Sequence, residues 1–259
     1  MRPIESAEPA LLAGIEGLIF DLDDTLLDHG KLGAESYRAL WDLYAAGLSL
    51  IAATGRPAGW GEVLARTWPV AAVVSENGAI AHSSTPQGLL QVDAATAAVR
   101  RERQQRLAGI AARVEAAFPT LHRTDDAHAR ISDVTYDIGE HQSVPAAMVK
   151  AAAELAQSLG AQTLTSSVHL HLTLDRHDKA TGCLAILREQ FGLDTTHALM
   201  RFAFIGDSGN DAACFAAFRT TIGVANLTGR PTLMPRFVTR AARGAGFAEA
   251  ARVLLDARK

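Results

Sequence analysis

The stretch Leu18-Ile19-Phe20-Asp21-Leu22-Asp23-Asp24-Thr25 constrains this chain more than any other. The apolar run from Gly17 to Phe20 has the length of a buried strand and stops abruptly at carboxylates. Three acids within four residues repel one another and resist burial, so packing alone does not place them there. Two readings follow. Either the acids hold a divalent cation at the carboxyl end of a strand, or they form a solvated turn that opens a helix.

What comes after the acids decides the fold class. Leu32 to Ala46 reads as a helix, with Tyr37, Leu40, Trp41 and Tyr44 on one stripe and Gly47 placed to stop it. Leu48 to Ala53 is a second buried strand and ends in Thr54-Gly55-Arg56; Pro57 to Thr67 suits a helix. Ala71 to Val74 is a third strand and ends in Ser75-Glu76-Asn77-Gly78. Strands alternating with helices predict an α/β chain with a parallel, Rossmann-like sheet, whose chemistry sits beyond the carboxyl ends of its strands.

From His82 the pattern changes. A turn at Ser83-Ser84-Thr85-Pro86 precedes a long helix from about Ala94 to Ala117. Ile131 to Ile138 alternates, with Asp133, Thr135 and Asp137 opposite Val134, Tyr136 and Ile138. After a helix from Val144 to Leu159 come strands near Ala161 to Thr165 and Val168 to Leu174, the second setting His169, His171 and Thr173 against four apolar residues. Residues 82–175 therefore read as an α/β unit inserted into a core made of residues 1–81 and 176–259, its half-polar sheet covered by helices on one side. The core pattern then resumes with a helix from Lys179, a strand from Phe202 to Ile205, the turn Gly206-Asp207-Ser208-Gly209-Asn210-Asp211, a strand from Thr221 to Val224 and a closing helix from Phe247.

Composition narrows the partners. A chain of 259 residues with a net charge of −3 gives no electrostatic reason to bind nucleic acid or an anionic membrane. Cys183 and Cys214 lie far apart without metal-ligand spacing and read as buried thiols suited to a reducing compartment. No basic leader and no membrane-length apolar run is visible, and the expectation is a cytoplasmic protein, monomer or homodimer.

Asp21-Leu22-Asp23-Asp24-Thr25, Thr54-Gly55-Arg56 and Gly206-Asp207-Ser208-Gly209-Asn210-Asp211, each after a strand, resemble the motifs of the haloacid dehalogenase superfamily of phosphatases. The insertion after Glu76-Asn77-Gly78 resembles the subgroup with a large α/β cap (type IIB), which includes phosphatases of trehalose, sucrose and mannosylglycerate phosphates and also phosphomannomutases. The resemblance implies a Mg²⁺-dependent phosphatase of a small phosphorylated metabolite, with a sugar phosphate as the expected substrate. Asp21 would be the nucleophile and Asp23 the general acid and base. Asp21, Asp207, Asp211 and the backbone carbonyl of Asp23 would surround the metal. Lys179 would be the motif-three lysine, although the chain reads Lys179-Ala180-Thr181-Gly182 where the family often has Lys-Gly. Thr54 and its neighbouring N–H groups would bind phosphoryl oxygens.

Elementary chemistry agrees with that reading. Phosphate monoesters hydrolyse extremely slowly, a carboxylate nucleophile splits the barrier in two, and anion meeting anion needs a cation to screen it. Gly55, Arg56, Asn77, His169 and His171 are further candidates for substrate contact. Each has a plain alternative: a carboxylate partner for Arg56, a tight turn for Asn77, a solvated sheet face for the histidines. Asp24, where the family often has glycine, reads as solvated. Two competing functions remain: a phosphomutase, which returns the phosphoryl group to sugar, and a non-enzymatic receiver module that is merely phosphorylated on aspartate.

Overall fold

The computed structural model describes residues 1–166, 168–227 and 233–259. Its strands form a nine-stranded sheet in the order Arg2–Pro3, Phe237–Val238, Thr220–Gly223, Phe202–Gly206, Gly17–Phe20, Ser49–Ala53, Ala72–Ser75, Ile80–Thr85 and Gly88–Asp93. Neighbours are parallel up to Ala72–Ser75, and the last two strands run antiparallel. The central strands are buried on both faces, as parallel sheets require, so they read as unbroken apolar runs. Alternate residues enter opposite layers. Leu18, Phe20, Leu50, Ala52 and Ile205 pack with the helices Ala34–Ala45 and Arg243–Asp256. Ile19, Ile51, Ala53, Val74 and Phe204 pack on the other side, with Lys179–Phe191 and Ala212–Ala217.

A separate three-stranded antiparallel sheet, Gln162–Thr165, His169–Thr173 and Asp133–Asp137, carries the helices Ala97–Ala117 and Ala146–Ser158 on one face. Tyr136, Leu170 and Leu172 are fully buried beneath those helices. The polar face is not open, because Asp133, Thr135, His169 and His171 are buried as well, turned toward the large sheet. Both chain crossings converge on Arg100, which donates to Asp93 at 2.6 Å and also to Asp175.

Two expectations change. Residues 82–93, assigned above to the inserted unit, belong by hydrogen bonding to the large sheet. Their polar, partly exposed sequence disguised an edge hairpin as a turn. The stripe on the helix Ala34–Ala45 is also rotated: Ser36, Ala39, Leu40 and Leu43 face inward, while Trp41 and Tyr44 are 44% and 53% exposed. Aromatic character there does not mark the core face.

Candidate active site

Strand register brings the sequence motifs to one edge. Phe20 pairs with Ile205 on one side and Ala52 on the other, and Ala53 pairs with Val74, so Asp21, Asp207, Thr54 and Glu76 leave the sheet side by side. The Asp21 N–H still donates to Ile205 O at 3.0 Å. After Asp23 the chain turns at Asp24, which adopts left-handed φ (57°). Aspartate is among the residues that tolerate this conformation.

Lys179 is the centre of the cluster. Its fully buried ammonium donates to Asp21 Oδ1 at 2.5 Å and to Asp211 Oδ1 at 2.7 Å. It stands at the first position of its helix, where a cation opposes the helix dipole, so the neighbouring carboxylates must compensate. Burial opposes the charge on Lys179, but Asp21 and Asp211 outweigh it and hold its pKa above the ordinary value. The helix start reaches this place because Gly78 (φ 111°) and Gly182 meet backbone to backbone. A Cβ on Gly78 would lie 2.1 Å from Asp178 O. Asp178 and Thr181 close the turn as a capping box.

Asp21, Asp207 and Asp211 each offer a carboxylate oxygen within 4.8 Å of the others, all three side chains being buried. Burial, opposed by Lys179 and reinforced by Asp211 and Asp23, pushes Asp21 up to about 7. Burial and the like charges of Asp21 and Asp211 push Asp207 up to about 9. A donor set of hard oxygens, raised this far beside only one lysine, is short of positive charge. It fits a small divalent cation, which takes oxygen ligands and few protein groups. Asp211 is already engaged: Oδ2 accepts from the Asp207 and Ser208 N–H groups, at 3.0 and 3.1 Å, and braces the loop. Asp207 is lightly held, by Thr25 Oγ1 at 3.3 Å and Asn226 Nδ2 at 3.4 Å.

The Asp23 side chain turns elsewhere. Arg56 grips it, with Nε at 2.9 Å from Oδ2 and Nη2 at 2.7 Å from Oδ1, while Nη2 also reaches Glu140 Oε1 at 2.8 Å. The guanidinium lies 4.7 Å above the Trp60 ring. Arg56 is thus held by carboxylates here, and the carboxylates close enough together to share a cation are Asp21, Asp207 and Asp211, without the side chain of Asp23. Thr54 Oγ1 accepts from the Arg56 N–H at 3.0 Å, which leaves its own proton free to donate. A Cβ on Gly55 would sit tightly, 3.1 Å from the His171 ring and 3.3 Å from Asn77 Nδ2, so glycine suits this approach of the two sheets. Asn77 (φ 53°) accepts from Asn210 at 3.2 Å and ties two of the loops together.

His169 and His171 descend from the smaller sheet into the same place. A cavity of about 10 Å³ is lined by both, together with Asp21, Asp23, Gly55, Ser166, Ser208 and Asn210. His171 Nδ1 lies 2.9 Å from Asp133 Oδ2 and from Thr135 Oγ1, whereas its buried Nε2 has no partner. Burial lowers the His171 pKa against the pull of Asp133. His169 Nε2 lies 2.8 Å from Glu140 Oε2, and that bond with Arg56 draws Glu140 down to about 2 against burial. Asp137, expected on the polar face, instead accepts from the N–H groups of Gly139, Glu140 and His141 and so builds the turn that presents Glu140.

Sequence reasoning missed three contributors. Glu140 sits in that turn, outside any periodic segment, and only the preceding Asp-Ile-Gly signals an Asx-type loop. Glu76 (φ 49°) accepts from the N–H groups of Ala58 and Ile131 and from Ser132, pinning the two sheets together. Arg130 Nη1 donates to Gly55 O at 3.0 Å and pairs with Asp133 at 3.1 Å. Asp24 is not free in solvent either, because Arg243 Nε donates to it at 3.0 Å.

A parallel sheet with acids at adjacent strand tips, a lysine between them and a second α/β sheet folded over the tips defines a phosphatase of the haloacid dehalogenase type. The chain belongs to the sucrose-6F-phosphate phosphohydrolase family, whose profile matches residues 16–243, and it is a phosphoric monoester hydrolase. Among proteins of curated function, none matches it by sequence. Solved structures give the same fold at low identity. Thermoplasma acidophilum 0175 superposes with a TM-score of 0.73 at 18% identity, over 93% of this chain and 98% of the other. The sucrose-phosphatase of Synechocystis sp. PCC6803, solved with sucrose and phosphate, gives 0.62 at 17% identity, over 93% and 98%. A subclass IIB sugar phosphatase of the superfamily gives 0.60 at 18% identity, over 92% and 98%.

Proposed function

We propose that the protein is a Mg²⁺-dependent phosphatase of a sugar phosphate that works through an aspartyl-phosphate on Asp21, with residues 94–175 contributing the cap that meets the sugar. The observation that carries this reading is the buried Lys179 ammonium shared by Asp21 and Asp211 beside Asp207. Asp21, Asp207 and Asp211, with the Asp23 carbonyl, would hold the metal, and its charge would offset the repulsion between carboxylate and phosphoryl oxygens. In the first step an Asp21 oxygen bonds to phosphorus, the ester P–O bond breaks, and Asp23 gives its proton to the leaving oxygen. In the second, a water oxygen bonds to phosphorus, Asp23 takes the proton, and inorganic phosphate leaves with Asp21 restored. Thr54 and the N–H groups beside it donate to the equatorial oxygens, and Lys179 keeps Asp21 oriented and ionised. His169, His171, Asn77 and Gly55 shape the space above the phosphoryl group. Two buried cysteines and no helix, among the described residues, long and apolar enough to span a membrane accompany the proposal of a cytoplasmic setting.

The test is phosphate release over a panel of phosphorylated metabolites, with Mg²⁺ and with chelator. Release from sugar phosphates that needs the metal, needs no bisphosphate activator and disappears in Asp21→Asn supports the reading. Full release in the presence of chelator contradicts it. Activity only with a bisphosphate activator would mean a mutase.

A further inference from the structure

Arg56 and Glu140 divide the space between the two sheets. On one side is the small cavity above Asp21. On the other is a cleft of about 640 Å³, whose wall includes Asp23, Arg56, Trp60 and Glu140. Asp23 lines both, so an ester oxygen at Asp23 would carry its alcohol portion into the cleft. The charges of that cleft are one-sided. Asp23, Asp24, Asp125, Asp126 and Glu140 face it, against Arg56 and Lys31, with His29, His128 and His141 on the same wall. The next cations outward add nothing net: Arg243 is shared between Asp24 and Asp28, and Arg130 between Asp126 and Asp133. Glu140 sits at the dividing wall, 2.8 Å from Arg56 and 2.8 Å from His169. It is the only carboxylate of the five, among the described residues, that bonds both a core side chain and a histidine of the small cavity.

We infer that Glu140 sets the charge selectivity of the alcohol side: the cleft takes an uncharged polyhydroxylated alcohol and rejects a phosphate ester that carries a second anionic group. This rests on the phosphatase reading above. The cleft is large enough for a sugar, and its carboxylates and the Trp60 ring suit hydroxyl-rich, half-apolar sugar faces. A carboxylate or second phosphate would enter a region where five acids outnumber Arg56 and Lys31 by three, the lining histidines aside. One consequence is that a bisphosphate activator, as a mutase requires, is disfavoured by the same groups.

The experiment compares kcat/KM at pH 8, above the ordinary histidine range, for two matched pairs: glycerol 3-phosphate against 3-phosphoglycerate, and glucose 6-phosphate against 6-phosphogluconate. Wild-type protein is compared with Glu140→Gln, which keeps the shape and can keep both hydrogen bonds while losing the charge. Wild type should prefer the neutral member of each pair by roughly tenfold or more, and Glu140→Gln should cut that preference about fivefold, through KM of the anionic member. Asp125→Asn, at a side chain 76% exposed, should shift it the same way by less. It serves as the second variant if Glu140→Gln does not fold. Equal use of both members by wild type, a preference unmoved in the folded variants, or hydrolysis of p-nitrophenyl phosphate with none of the four esters would overturn the inference. No phosphate release even from p-nitrophenyl phosphate would instead overturn the phosphatase reading, and this inference with it.

Discussion

Asp207→Asn separates the electrostatic cost of the acidic cluster from its use. In the unfolded chain Asp207 would titrate near 3.8, whereas burial beside Asp21 and Asp211 raises it to about 9 in the fold. A carboxyl raised in this way binds more protons folded than unfolded between those values, so stability falls as pH rises through that window. Each pH unit is worth up to about 1.4 kcal/mol for one group. Because Asp21 shares the same field and rises to about 7, the two do not add in full. From pH 5 to pH 8 we expect the metal-free wild type to lose roughly 3 kcal/mol relative to Asp207→Asn, or about 6–12 °C of Tm at 2–4 °C per kcal/mol. The assay is thermal unfolding by circular dichroism at pH 5, 6, 7 and 8, with chelator and with saturating Mg²⁺. In chelator at pH 8 the variant should melt above wild type. With Mg²⁺ the wild type should recover while the variant responds weakly, because a ligand that binds only the folded state stabilises it. Parallel pH profiles for the two proteins in chelator would refute the reasoning, as would a wild type indifferent to Mg²⁺ at pH 8.

Three further outcomes can be measured. Gly78→Ala should cost about 3 kcal/mol or more in chemical denaturation, since it forces a Cβ against Asp178 O at positive φ. A loss under about 1 kcal/mol would mean that the turn and the Lys179 helix can separate freely. Glu76→Gln puts an amide where the carboxylate now accepts from Ile131 and Ser132. It should cost about 1–3 kcal/mol and speed amide hydrogen exchange in residues 130–133; unchanged exchange there would show that Glu76 does not pin the smaller sheet. Acidification should weaken the contact between the sheets late. Glu140 and Asp133 are each held down to about 2, Glu140 chiefly by His169 and Asp133 by Arg130 and His171 against burial, so their stabilisation is present above their unfolded values and lost as pH falls toward 2. Exchange protection at Glu140 that vanishes already at pH 5 would contradict this.

The core was legible because its evidence is local. Gly17–Phe20 and Phe202–Gly206 are apolar runs ending in acids, and parallel pairing places such ends together whatever the intervening chain does. Lys179 was legible only through the family resemblance, together with its place at the start of the helix where the core pattern resumes. The alternation of Asp133–Asp137 and His169–Thr173 marked two faces correctly but not what covers the polar one, because alternation records a face and not its neighbour. The large core sheet covers it, so residues that read as a solvated surface are buried and bonded, Asp133 to Arg130 and His171, and His169 to Glu140. Arg56 shows the limit most plainly. Its partners Asp23 and Glu140 lie 33 and 84 positions away, and no spacing rule reaches across an inserted unit.

The bonds across the two sheets argue that the closed arrangement has to yield during turnover. Glu76 accepts from Ile131 and Ser132, Arg130 donates to Gly55, and Arg56 bridges Asp23 to Glu140, so the loops that carry Gly55, Arg56 and Glu76 are tied to the smaller sheet. The cavity left between them, about 10 Å³, is on the scale of one water and too small for a phosphoryl group. Admission of substrate therefore requires these contacts to part. Each of these bonds involves a charged side chain, and such bonds are worth about 1.5–3 kcal/mol each. Opening would be a motion of the microsecond to millisecond kind that lids and domains show, eased where water or substrate replaces these partners. Arg56 is the contact that ties this opening to chemistry. Parting the sheets would break the Arg56–Glu140 bonds but leave Arg56 holding Asp23, since both of those residues belong to the core, so in the proposed mechanism a substrate oxygen would have to compete with Arg56 for the Asp23 carboxylate.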